Sequence, residues 1–148
     1  MKINSNITIR EVETDDDLKE FVMFPHKIYK DSKYWVAPII KEELEVLNKK
    51  INPVFKNAKA HYFLAFINGE IVGRIAALIN WVEVNDLKKK KVRFGWFDFI
   101  DNKEVSKSLL NEVIKIGNDN NLEFIEGPVG FSNMDKAGML IKGFEKKN

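Results

Sequence analysis

Arg74 is the residue that most demands a chemical partner. It stands in an otherwise apolar run ending at Ile79, where a guanidinium has to find a carboxylate, a carbonyl or an anionic ligand. A structural ion pair is favoured over an anionic ligand, because buried arginines are usually paired. His26 and His61, the only histidines, fall in different predicted elements with no carboxylate or second histidine at metal-ligand spacing, so no metal site is expected. His61 opens a strand and reads as a half-buried structural residue. The chain has no cysteine, which excludes disulfides, thiolate metal sites and a cysteine nucleophile. Asp98 and Asp101 flank a predicted strand end, where carboxylates often satisfy backbone amides. Ser132-Asn133-Met134-Asp135 matches neither a nucleophile elbow nor a phosphate loop, and Asn133 is a residue to mutate because loops at the end of a sheet often carry ligands. The run Lys88-Lys89-Lys90-Lys91 has no apolar partner pattern and reads as solvated.

These residues sit in a chain of 148, with 45% hydrophobic and 31% charged residues, a size that one core holds together as a single domain. The net charge of +2 gives no reason to expect nucleic acid or a membrane surface as a partner. No apolar stretch approaches the roughly 18 residues of a membrane span, and residues 1–10 lack a signal-type apolar run. The expected location is the cytoplasm.

The apolar pattern supplies the elements that position these groups. Ile7, Ile9 and Val12 mark a first strand. Thr14 then caps a helix whose first turn is Asp15-Asp16-Asp17, and Pro25 is expected to end or kink it. A second helix is expected from Ile39 to about Lys50. His61 to Ile67 and Glu70 to Ile79 are β-rich runs joined by Asn68-Gly69, the signature of a two-residue hairpin turn with positive φ at both positions. Trp81 to Lys91 reads as a loop, Val92 to Phe99 as a strand, and Asp101 or Asn102 as the cap of a helix ending near Gly117. Leu122 to Glu126 is a short strand stopped by Gly127-Pro128.

This order, with the segments Phe24-Pro25, Tyr34-Trp35-Val36-Ala37-Pro38, Gly73-Arg74-Ile75-Ala76-Ala77, Phe94-Gly95-Trp96-Phe97-Asp98-Phe99, Gly127-Pro128-Val129 and Gly138-Met139-Leu140-Ile141-Lys142-Gly143-Phe144, resembles the GNAT (acyl-CoA N-acyltransferase-like) fold. The segments look like the amino-terminal part of a longer, uncharacterised acetyltransferase-related bacterial group. The resemblance implies an α/β (α+β) architecture: a mixed, mostly antiparallel sheet flanked by helices, lacking the final strands. It further implies a single GNAT-like domain over residues 1–148, truncated at its C-terminal end, with a homo-oligomer completing the open sheet edge.

The same resemblance implies acetyl-CoA as acyl donor and an unidentified amine as acceptor. Pantetheine would pair with the outer edge of the fourth strand at Phe97, Phe99 and Ile100, and the diphosphate would meet the following helix at Asn102 and Lys103. Asp98 would be the catalytic base, with Tyr62 or Tyr34 as proton donor. The family's glycine-rich phosphate loop has no counterpart in Asp101-Asn102-Lys103-Glu104-Val105, where Asp101 and Glu104 would repel a diphosphate. The reading implied is an acyl-CoA-dependent N-acyltransferase. The alternative is a non-catalytic binding or assembly module that presents Tyr34, Trp35, Trp81 and Trp96 to a partner.

Overall fold

The computed structural model describes residues 6–132, 134–135, 137–139 and 141–142; Asn133 lies outside them. Strand β1 (Ile7–Glu11) leads into helices α1 (Asp15–Ile28) and α2 (Ile40–Leu47), followed by strands β2 (Ala58–Ile67), β3 (Glu70–Asn80) and β4 (Lys91–Phe99), helix α3 (Lys103–Asp119) and strand β5 (Phe124–Glu126). The five strands form one sheet in the order β1-β2-β3-β4-β5. The first four pair antiparallel and β5 joins β4 in parallel, because a parallel neighbour requires a crossover and α3 supplies it.

Local chemistry explains most of the boundaries. Asn68 (φ 50°) and Gly69 (φ 80°) form the expected two-residue turn between β2 and β3. The α1 cap is reciprocal: the Thr14 hydroxyl accepts from the Asp17 amide at 3.0 Å, and the Asp17 carboxylate accepts from the Thr14 amide at 3.3 Å. Burial acts to raise the pKa of Asp17, but the amides of Glu13 and Thr14 and the Arg10 guanidinium outweigh it and hold the carboxyl below its ordinary value.

Pro25 does not end α1, which continues to Ile28. A proline has no amide to donate to the carbonyl four residues back. That carbonyl, Phe21 O, instead accepts from Arg74 Nη1 at 2.9 Å. A guanidinium from the sheet thus takes the place of the missing helical bond.

Successive β2 side chains alternate between two cores. Phe63 and Ala65 join Ile75, Ala77, Ile79 and Val92 beneath Val105, Leu109 and Val113 of α3. Tyr62 and Leu64 join Ala76 and Leu78 beneath Phe21 and Val22 of α1 and Leu47 of α2. Fully burying a side chain such as Leu109 or Phe21 contributes roughly 2 kcal/mol, so the sheet is held by both faces.

Three expectations are corrected. Helix α2 stops at Leu47 rather than near Lys50. Trp81 to Lys91 contains a π-helical turn, Val82–Asp86, and Lys91 is buried rather than solvated, with its ammonium 2.8 Å from Glu126 and 3.9 Å from Glu83. Glu83 also pairs with the buried Arg93. Finally, β5 starts at Phe124, because Leu122 still donates to Gly117 O at 2.8 Å as the chain leaves α3 through Asn121 (φ 55°).

Candidate functional site

The site begins with an irregularity in β4. Arg74 pairs with Asp98 and Ala76 with Gly95, so Trp96 and Phe97 oppose the single residue Ile75. This is a β-bulge, and Trp96 takes φ 46°, a conformation uncommon for an aromatic residue. Trp96 packs against the α1/α2 core, where its indole N–H donates to Glu43 of α2 at 2.8 Å. Phe97 and Phe99 lie against the α3 core, their ring centroids 4.8 Å apart.

The bulge coincides with the point where the neighbouring chain leaves β4. The parallel ladder ends at Arg93 opposite Glu126, and one further bond, Val129 N–H to Phe94 O at 2.9 Å, holds the departing segment. Gly95 faces Val129 so closely that a Cβ there would stand 2.3 Å from Val129 O. Past this contact β5 no longer accompanies β4. The Ile100 amide donates to Val72 O at 2.9 Å, toward β3. Ile100 therefore has no free amide on the outer edge, contrary to expectation, whereas strand alternation turns the Phe99 amide outward.

Beside this edge lies a polar network. Arg74, 5% exposed, places Nε 3.0 Å and Nη2 2.9 Å from Asp98 Oδ2; the expected structural ion pair is present. Asp98 Oδ1 accepts from the Tyr29 hydroxyl at 2.8 Å, so both carboxylate oxygens are engaged. Burial, then the charge and hydrogen bond of Asp98, push the Tyr29 pKa above the ordinary phenol value, while Arg74 opposes. Burial acts to lower the Arg74 pKa against the opposing Asp98 charge, and the guanidinium remains charged. Trp35 packs on Tyr29 with centroids 5.5 Å apart and meets His26 edge-on at 5.0 Å.

Neither tyrosine expected as a donor joins this cluster. Tyr62 is 2% exposed and gives its hydroxyl to Leu47 O at 2.8 Å, which makes it a core residue. Tyr34 lies in the exposed loop before α2. Tyr29 was missed because its signal is tertiary: it stands at the end of the helix that carries Pro25, whose freed carbonyl draws in Arg74 and with it Asp98. His61 is the half-buried structural histidine expected, 2.5 Å from Glu11.

Acetyl-CoA fits one part of this surface and not another. An amide-bearing arm matches the outward amide of Phe99, next to the bulge at Trp96 and Phe97. The diphosphate does not match the start of α3. The Asn102 side chain accepts from the Glu104 amide at 3.0 Å, and Asn102 O accepts from Val105 at 3.1 Å and Ser106 at 3.3 Å. The amides of Glu104, Val105 and Ser106 are therefore engaged by the helix's own cap and first turn. Asn102 is a cap, Lys103 is an exposed first-turn lysine, and Asp101 and Glu104 stand exposed beside them. Among the described residues no cluster of three or more His, Cys, Asp or Glu is placed to hold a metal ion. No helix among them is long and apolar enough to cross a membrane.

No family model matches the chain. It is 31% identical over 137 residues to Protein YghO of Escherichia coli K12, covering 93% of this chain and 35% of that protein. It is 27% identical over 143 residues to a bacterial ceramide synthase of Caulobacter vibrioides, covering 96% of this chain and 37% of that protein. The chain thus spans about a third of the length of the curated relatives it matches. Among solved structures, it superposes on a predicted acetyltransferase with acetyl-CoA from Clostridium acetobutylicum (TM-score 0.60, 15% identity, 81% of this chain and 79% of that one). It also superposes on an acetyltransferase of the GNAT family from Staphylococcus aureus Mu50 (TM-score 0.53, 20% identity, 81% and 71%). At these identities the likeness is one of architecture, and with the mixed five-stranded sheet it establishes that this chain has a GNAT-like fold.

Proposed function

We propose that the chain forms the donor-edge part of an acyl-CoA-dependent N-acyltransferase acting on an amine. The observation that carries this reading is the bulged outer edge of β4 at Phe97 and Phe99, which has no partner strand among the described residues past Arg93, set beside the network of buried Arg74 with half-buried Asp98 and Tyr29. It is supported by the acetyl-CoA held in a structural neighbour and by the ceramide synthase among the relatives, since a ceramide is the amide of a long-chain amine. In this reading the backbone at Phe97 and Phe99 aligns the acyl-bearing arm. Asp98 is a positioning residue, fixing the Tyr29 hydroxyl and neutralising Arg74, and Tyr29 faces the reacting groups. The start of α3 takes no part in gripping a diphosphate.

A second reading, a binding module without catalysis, draws on that same closed helix start. Thiol release from acetyl-CoA in the presence of a panel of primary amines separates the two. Amine-dependent release is expected, with Tyr29→Phe lowering kcat/KM at least about tenfold while the fold, checked by circular dichroism, is retained. Acetyl-CoA binding without release for any amine would establish the binding module instead.

A further inference from the structure

An amine sheds a proton as it is acylated, and Asp98 is poorly placed to take it, because both of its oxygens are already engaged by Arg74 and Tyr29. The imidazole Nε2 of His26 is buried, out of a substrate's reach. Glu43 is better placed. It lies one turn before the fully buried Leu47 in α2, so the helix turns it toward the sheet, and it is half-buried. The bulge residue Trp96 fixes it there, since the indole N–H donates to Oε2 at 2.8 Å. Oε1 accepts no hydrogen bond among the described residues and does not belong to their enclosed polar atoms, so it stands open to a ligand.

Charge favours a cation at this oxygen. Arg74 lies within the field of both Asp98 and Glu43, which sets one guanidinium against two carboxylates. Glu43 forms no salt bridge with a lysine or arginine among the described residues, and the ammonium of Lys41, two positions earlier, lies 4.0 Å from Glu45 instead. A neutral amide would hold the indole as well, so packing alone does not account for a half-buried charge.

We propose that Glu43 receives the acceptor amine, its Oε1 binding the nitrogen and taking the proton lost in the transfer; this rests on the acyltransferase reading above. The ammonium form pairs with Glu43 and sheds one proton to solvent. The neutral nitrogen then forms the C–N bond at the acyl carbonyl as the C–S bond breaks. Glu43 takes the second proton from that nitrogen, the departing thiolate takes the Tyr29 hydroxyl proton, and exchange with solvent restores both side chains.

Octylamine titrated into the purified chain is expected to move the Trp96 indole N–H resonance in proton NMR to saturation, because that proton is bonded to the receiving carboxylate. Glu43→Gln keeps an oxygen for the indole, so the thermal transition should hold. Its affinity for octylamine should fall at least about tenfold, and its kcat/KM for amine-dependent thiol release at least about a hundredfold, with acetyl-CoA affinity unchanged. Glu42→Gln, at an exposed neighbouring position of α2, should match the wild type in both. An indole resonance that octylamine leaves unmoved, or a Glu43→Gln chain that binds octylamine or releases thiol like the wild type, would overturn the inference. Saturable, Glu43-dependent octylamine binding without thiol release would keep Glu43 as the amine-binding group and remove the acyltransferase reading.

Discussion

Asp98→Ala is expected to destabilise the protein by about 3–5 kcal/mol, the cost of leaving a buried charge without its partner. Arg74 is 5% exposed and, among the described residues, its guanidinium would keep the Phe21 carbonyl as its one acceptor. Tyr29 would also lose the acceptor of its 2.8 Å hydrogen bond, adding to the penalty. The loss would be felt at both ends of the network, since Arg74 also satisfies the carbonyl that Pro25 leaves open in α1. Urea unfolding measures it directly, and a thermal midpoint lower by roughly 10–15 °C should accompany it. The companion Arg74→Met/Asp98→Leu removes both charges and is expected to cost less than Asp98→Ala alone. A loss below about 1 kcal/mol for Asp98→Ala would show that the pair is solvated and that the network is not a fixed scaffold.

Gly95→Ala is expected to cost about 3 kcal/mol, at the upper end of overpacking penalties. The added Cβ would lie 2.3 Å from Val129 O and 3.1 Å from Val129 C. Both are backbone atoms, so no side-chain rotation relieves the clash. Relief requires the segment after β5 to withdraw, which breaks the Val129 to Phe94 hydrogen bond and widens the gap at the bulge. The substitution should therefore lower the unfolding midpoint in urea and, by opening the donor edge further, raise KM for acetyl-CoA more than it changes kcat. Wild-type stability in the variant would mean that Val129 is not held against β4.

The parts of the fold that were legible in sequence are those set by local chemistry. Asn68-Gly69 announces its turn because few other residues accept positive φ twice in succession. Thr14 and Asn102 announce helix starts because their side chains can satisfy orphan amides. Misread features depend on distant partners. Pro25 looks like a helix end until Arg74 arrives from β3. Lys91 looks solvated until Glu83 and Glu126 converge on it. The need of Arg74 for a partner was evident from its apolar setting, and Asp98 was singled out, but its engagement by Tyr29 was not, since the two lie 69 residues apart in sequence. The bulge at Trp96 was equally hidden. Only the adjoining Gly95, whose lack of a Cβ admits Val129, hints at close backbone approach.

The claim that the outer edge of β4 receives the acyl donor is tested most directly by amide hydrogen exchange with and without acetyl-CoA. The account predicts that acetyl-CoA slows exchange at Phe97 and Phe99 by at least about tenfold, as ordered backbone pairing does. Ile100, already bonded to Val72 O, and Glu104, already capped by Asn102, should be unchanged. Unaltered exchange at Phe97 and Phe99, or protection confined to the start of α3 at Lys103 to Ser106, would contradict it.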